Sequence, residues 1–338
     1  MAKVAVVAIG GNSLIKDAQH QTVPDQYQAI VDTVAHIVDM IQEGYEVVVT
    51  HGNGPQVGFI LLRSEITHDV LKAKCAHAGK VPDCAMAKYQ GIPGLHTVPM
   101  DSCGADTQGA IGYQLQQALY NECKKRGIQK PAATVVTQVL VDAKDPSFQK
   151  PSKPIGLFYT ETEAKRKQQE DGWDIMEDAG RGWRRVVASP MPLEILEENA
   201  IKTLIQQGFV VIAVGGGGVP VVRDENGFLK GAAAVIDKDL ATSLLAANIH
   251  ADLLVISTGV EKVSLNFGKP QQKDLDRMTL AEAKQYMAEG HFKPGSMLPK
   301  IKAAISFLEK GGQKVIITNP ESLLQAVRGK TGTHMTRE

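Results

Sequence analysis

Cysteine is scarce in this chain: Cys75, Cys84, Cys103 and Cys123 are all it has in 338 residues, and no two stand in C-x-x-C spacing. Free thiols in a reducing compartment are therefore expected. A zinc site on Cys75, His77 and Cys84 is the other use that the spacing allows. Net charge is lacking too, since Lys+Arg and Asp+Glu both number 37. Nothing resembles the basic footprint of a nucleic-acid binder, and no run of like charges forms a tail. Long apolar runs are also missing. The early run from Val4 to Ile9 stops at Gly10-Gly11, too short for a signal-peptide core. No stretch reaches the roughly 18 apolar residues of a membrane span. A cytoplasmic chain with neither membrane nor nucleic-acid partner is the expectation. What is present is 43% hydrophobic and 22% charged residues, enough for a sizeable core. The length suits about two domains or one large open sheet.

Buried-strand runs alternate with amphipathic stretches along the chain. Lys3 to Ile9 reads as a strand, Gln26 to Gln42 as a helix with apolar Ile30, Val34, Ile37, Val38 and Ile41, and Glu46 to Thr50 as a second strand. Gly44 closes the helix. Further on, Ile111 to Lys125, Leu193 to Gln207, Asp239 to Ile249, Leu280 to Ala288 and Met297 to Leu308 read as helices. Ala132 to Val141, Phe209 to Val214, Leu253 to Ser257 and Lys314 to Thr318 read as strands, the last closing the core. Strands without polar alternation, separated by helices, predict a parallel sheet covered on both faces. Residues 144–192 break the pattern with five prolines, both tryptophans and many charges. So long a stretch predicts an inserted subdomain, with a short helix near Thr160 to Gln169 and a strand over Gly182 to Val187.

Three glycine-rich breaks follow buried strands directly: Gly10-Gly11-Asn12, Gly52-Asn53-Gly54 and Gly215 to Gly218. In an open parallel sheet, ligands bind beyond the carboxyl ends of the strands, and glycine lets backbone N–H groups approach them. A helix starting after such a break favours an anion. One such turn is also what any strand end needs for steric reasons; three on one edge point to a ligand. The familiar phosphate signatures are absent. Gly329-Lys330-Thr331 has Leu324 where a Walker A loop needs glycine, no G-x-G-x-x-G follows the first strand, and the H-R-D and D-F-G segments of protein kinases are missing. Three lysines occupy unusual settings instead: Lys238 between Asp237 and Asp239, Lys300 just inside a helix start, and Lys153 between Ser152 and Pro154. An ammonium is a compact charge able to neutralise a migrating phosphoryl group, a transfer that needs positioning and charge more than covalent chemistry.

Several segments run in the order found in one family: Ala8-Ile9-Gly10-Gly11-Asn12, Thr50 to Gly58, Gln108 to Tyr113, Lys153-Pro154-Ile155-Gly156, Glu177 to Val187, Gly215 to Val221, Ala234 to Leu240, Gly295 to Lys300 and Gly329 to Thr333. In these the chain resembles the carbamate kinases of the amino-acid-kinase family over essentially its whole length. The resemblance implies a three-layer α/β/α sandwich with a mainly parallel open sheet, an N-terminal acceptor half over about 1–214, and a nucleotide half over about 215–338. It also implies a homodimer and a small subdomain protruding at 144–192. The implied reaction is reversible phosphoryl transfer between ATP and carbamate, giving ADP and carbamoyl phosphate, run toward ATP in nitrogen catabolism. Gly10, Gly11, Asn12, Gly52 and Asn53 would hold the acceptor and the phosphoryl group. Lys238 and Lys300 would face the phosphates, Asp239 would organise them, and Lys153 would close over the substrate. Gly216, Gly217, Asp237, Thr258, Gly259, Val260 and Met297 would border the nucleotide, with Mg2+ bridging its phosphates and drawing few protein ligands. The segment Asp101 to Thr107 departs from the usual family pattern, which leaves a different small acid as an alternative acceptor. A nucleotide-binding sensor without catalysis is the alternative from another class.

Overall fold

The computed structural model describes residues 2–15, 19–76, 97–178 and 180–338, with the side chains of Asn12 and of 68–76 left out. The Cys75–His77–Cys84 proposal lies outside the described residues. Cys103 and Cys123 are buried free thiols.

Eight strands form the central sheet, in the order Arg277–Thr279, Thr333–Thr336, Lys314–Thr318, Leu253–Ser257, Lys3–Ile9, Tyr45–His51, Val210–Ile212, Ala132–Thr134. The six from Lys314–Thr318 to Ala132–Thr134 are parallel. Strand Lys3–Ile9 lies at the centre, with Ala5 opposite Val47 on one side and Leu253 on the other. Its alternate residues explain the two covering layers. Val6, with Val48, Val211, Leu254 and Ile256, packs in one core with Ile201, Leu245, Ile301 and Phe307 from helices Glu198–Gln206, Lys238–Asn248 and Met297–Glu309. Ala5, Val7 and Ile9, with Val47, Val49 and Val255, pack in the other with Ile30, Val34, Ile37, Ile111 and Leu115 from helices Val23–Gln42 and Met100–Lys125. Buried on both faces, such strands need no polar alternation. Helix Val23–Gln42 starts where its chemistry requires: Thr22 and Asp25 form a reciprocal capping box, and Gly44, at φ +88°, turns the chain into the next strand.

Several expectations are corrected. The run 132–141 is two strands in different sheets: Ala132–Thr134 ends the central sheet, and Gln138–Leu140 joins a four-stranded sheet with Val219–Arg223, Leu229–Gly231 and Glu194–Ile195. The break falls at Thr137, whose backbone N–H goes to the Gln108 side chain while its carbonyl is shared between Gln108 and Val219 N of the second sheet. The expected helix 193–207 begins only at Glu198. Before it, Ile195 pairs with Val139, and Glu197 spends both carboxylate oxygens on the Gln138 backbone and side-chain amides. The helix expected from Ile111 starts at Met100, where burial of Met100, Cys103 and Thr107 overrides two internal glycines. Helix Gly54–Ala76 was not anticipated. Lys314–Thr318 is not the last core strand, since Thr333–Thr336 adds antiparallel beside it. The break Gly215 to Gly218 leads into strand Val219–Arg223, so no helix N-terminus stands behind it.

The inserted region has a sheet of its own, Lys153–Tyr159, Trp183–Val187 and Asp174–Glu177, all antiparallel, plus helix Glu161–Asp171. Trp173 is its small core: Tyr159 meets it edge-on at 5.6 Å, and Arg185 and Lys167 lie 5.0 and 5.4 Å from its ring. The sheet is seated on helix Gly54–Ala76. A Cβ on Gly58 would lie 2.6 Å from Gly156 Cα, and Arg185 Nη1 reaches Glu65 at 2.7 Å.

Candidate active site

The carboxyl ends of the parallel strands share one edge, and the glycine turns line it. Gly52 N donates to Ile9 O at 3.1 Å, tying the second turn to the end of the central strand. A Cβ on Gly10 would approach Ser257 O at 3.1 Å, so the two strand ends pass closely here. Asn53 and Gly216 are in contact, because a Cβ at 216 would collide with the Asn53 carboxamide. A Cβ at Gly217 would fall 2.5 Å from Ile236 O. The turn therefore has room for backbone alone.

Helix Lys238–Asn248 begins at this edge. Its N-cap is Asp237, whose Oδ1 accepts from the amides of Asp239 and Leu240 at 3.0 and 3.3 Å. Asp237 Oδ2 accepts from Lys153 Nζ at 3.0 Å, so the inserted sheet reaches the start of the helix here. Asp239 is buried and takes two ammoniums, Lys238 Nζ at 2.6 Å and Lys300 Nζ at 3.1 Å. Burial alone would push the Asp239 carboxyl up. The two lysines outweigh it and hold the group well below the usual carboxylate range. For Lys238 the balance reverses: burial pushes its ammonium down and Lys300 adds repulsion, against the pull of Asp239. The methylenes of Lys238 pass over Gly52, with Cδ 3.5 Å from where a Cβ would stand. Three ammoniums against two carboxylates leave the cluster one positive charge in excess, at the start of a helix whose dipole adds to it. Such an excess of positive charge suits an anion and is of the kind that can neutralise a phosphoryl group in transit.

Direct contacts thus join Lys153, Asp237, Lys238, Asp239, Lys300 and Gly52, with the Asn53–Gly216 pair and Gly217 beside them. Gly10, Gly11 and the backbone of Asn12 lie at the end of the central strand, and the Asn12 side chain is outside the described residues. Thr258, Gly259 and Val260 follow the adjacent strand, with Thr258 N donating to Thr318 O at 2.8 Å. Met297 opens the helix that carries Lys300. Sequence reasoning gave no role to His51, Thr107, Gln108 or Thr137, all buried at this edge. Thr107 and Gln108 carried a signal: two polar residues adjacent in a helix whose neighbouring turns are apolar inward.

The amino acid kinase family matches residues 3–319. The chain belongs to that family. It is similar to the carbamate kinase-like protein YahI of Escherichia coli (52% identical, all of both chains) and to the carbamate kinase of Thermococcus kodakarensis (49% identical, 99% of this chain and 100% of that one). Among solved structures it is similar to the carbamate kinase of Giardia lamblia bound to AMP-PNP, with a TM-score of 0.83 and 40% identity over 100% of this chain and 99% of that one. The three-layer α/β/α fold expected from sequence is the family's fold.

Proposed function

We propose that this chain is a carbamate kinase, catalysing reversible phosphoryl transfer between carbamoyl phosphate and ADP. The observation that carries the reading is Asp239 holding Lys238 and Lys300 at the mouth of the glycine turns, with Lys153 reaching in from the inserted sheet. In the direction of ATP synthesis, the bond from phosphorus to the carbamate oxygen breaks and a bond to the ADP β-phosphate oxygen forms. The protein supplies placement and charge. Each lysine gives one N–H to a carboxylate and keeps two for phosphate oxygens. Backbone amides of Gly10 and Gly11 are the donors on the acceptor side, with Gly52, whose own N–H is held by Ile9 O, and Asn12 and Asn53 beside them. Gly216, Gly217, Asp237, Thr258, Gly259, Val260 and Met297 border the nucleotide. With these roles we divide the chain into an acceptor half over about 1–214, a nucleotide half over about 215–338 and a subdomain over 144–192.

Mg2+ fits as a passenger on the nucleotide. Both Asp239 oxygens are taken by lysines, and those of Asp237 by Lys153 and two amides. Among the described residues no group of three or more His, Cys, Asp or Glu is placed to hold a metal. The phosphates would then supply its oxygen ligands and the metal would add positive charge to them. Among the described residues no helix is long and apolar enough to cross a membrane. We propose a cytoplasmic setting. We assign a homodimer, with exposed Tyr113, Tyr120 and Val136 as its apolar face, and a role in nitrogen catabolism.

ATP formed from ADP, Mg2+ and carbamoyl phosphate in a coupled assay is the expected result; a folded protein giving none would reject the reading. A second reading, another small acid as acceptor, is favoured by one contact. Thr107, in the departing segment, accepts a hydrogen bond from the Asn53 side chain at 2.9 Å. A panel of acceptors decides between the two.

A further inference from the structure

The turn after strand Val210–Ile212 is held in an unfavourable shape. Val214 is β-branched and fully buried, yet it sits at φ +53°, ψ +34°, and Gly216, Gly217 and Gly218 follow at φ +66°, +94° and +88°. A β-branched residue in the left-handed region is an outlier that persists only where the surroundings impose it. The residues that impose it here are buried and polar. Thr137 Oγ1 accepts from Val214 N at 2.9 Å and donates to Val135 O at 2.7 Å. Gln108 Nε2 donates to Thr137 O at 3.1 Å and to Gly215 O at 3.0 Å, while its Oε1 accepts from Thr137 N at 2.7 Å. Thr107, the preceding residue of the same helix, donates to Gly104 O at 2.7 Å and so turns a lone pair to Asn53 Nδ2 at 2.9 Å. Thr107, Gln108 and Thr137 are each exposed by 1% or less.

We propose that Thr107, Gln108 and Thr137 are positioning residues that hold the two glycine turns in register. Thr107 fixes the Asn53 carboxamide of one turn, and Gln108 with Thr137 fixes the strained backbone of the other. The inference rests on the phosphoryl-transfer reading of this edge and adds residues that touch neither substrate. Preorganised donors lose much of their worth when they must be reoriented during the reaction. The two arms of the clamp serve different ligands, so their loss separates in the kinetics. Gln108 bonds only within the second arm and adjoins the first as the neighbour of Thr107 in the helix; its two N–H donors are fully used by backbone carbonyls.

The test compares Thr107→Val and Thr137→Val, which remove a hydroxyl at nearly constant shape, with Thr107→Ser and Thr137→Ser, which keep it. Thr137→Val should raise the KM for ADP about tenfold, and Thr107→Val should raise the KM for carbamoyl phosphate about tenfold while leaving that for ADP within about twofold. Both serine variants should return to within about threefold of the unmodified enzyme. A merely structural role would lower Tm and apparent kcat with both KM values unmoved; that outcome, or failure of serine to rescue, overturns the proposal. Should Thr137→Val not fold, the Thr107 pair decides alone, with Thr107→Ala replacing Thr107→Val if needed. If the unmodified protein forms no ATP, the functional reading falls by itself. ADP binding by calorimetry then judges the clamp: weakened by Thr137→Val and unchanged by Thr107→Val supports it, and no difference between the two rejects it.

Discussion

The two ends of the charge network differ in how they are built. At the inner end, Lys238, Asp239 and Lys300 have side chains 14%, 4% and 14% exposed, and one carboxylate serves two ammoniums from two helices of the main body. At the outer end, Lys153 and Asp237 are 26% and 22% exposed, and the lysine comes from a separate sheet seated on another helix. A buried triad of this kind has fixed geometry, and removing one partner strands a charge without solvent. A pair about a quarter exposed keeps contact with water and is partly screened, so it can open and re-form more readily than the buried triad. The inner end is therefore suited to holding charge constant, and the outer end to making and breaking a contact as substrate enters.

Asp239→Asn should sharpen this contrast most. It leaves two buried ammoniums facing each other with no carboxylate between them, the nearby Asp237 being already paired with Lys153, and we expect a stability loss of about 3–5 kcal/mol in denaturant unfolding, together with loss of turnover. Lys238→Ala keeps the Asp239–Lys300 pair and should fold, yet lower kcat by about 10²-fold or more in the coupled assay. A Lys238→Ala enzyme of near-normal kcat would break the assignment of the inner end to catalysis. Acid should weaken the inner end too. Burial, with Lys238 nearby, lowers the His51 pKa to about 4, while in the unfolded chain it returns to its ordinary value. Between those values the unfolded state binds more protons, so stability falls as pH drops from about 6.5 toward 4, by on the order of 2 kcal/mol. Asp239, with its lowered pKa, loses stability only below the ordinary carboxylate range. Urea unfolding at pH 7 and pH 4.5 measures this; a flat profile would remove His51 from the account. The smallest effect is expected at the outer end. Lys153→Ala should cost about tenfold in acceptor use, with ADP affinity within about twofold and Tm nearly unchanged. A change confined to nucleotide affinity would mean that the inserted sheet serves the other substrate.

Much of this contrast was legible before any coordinates. Central strands such as Leu253–Ser257 and Lys314–Thr318 are continuous apolar runs with no other plausible use, and their bounds were read correctly. Helix Leu280–Ala288 was bounded by its own cap, Thr279 with Glu282. The failures lie where a distant partner sets the conformation. The chain breaks at Thr137 because Gln108 takes its backbone N–H, and the helix after 193 is delayed because Glu197 is drawn to Gln138. Local propensity carries no information about either partner.

For the site the same division holds. Residue types and their order along the chain determined that glycine turns would end buried strands, that Lys153, Lys238 and Lys300 were unusual, and that a parallel sheet would bring the turns to one edge, since periodicity and chain direction are local properties. Only the tertiary structure decided which carboxylate each lysine would take, that Asp237 would link the inserted sheet to the helix start, and that Thr107, Gln108 and Thr137 would lock the turns. Those choices depend on burial and on distances between residues far apart in sequence, where a hydrogen bond or an ion pair gains or loses its worth with the water around it.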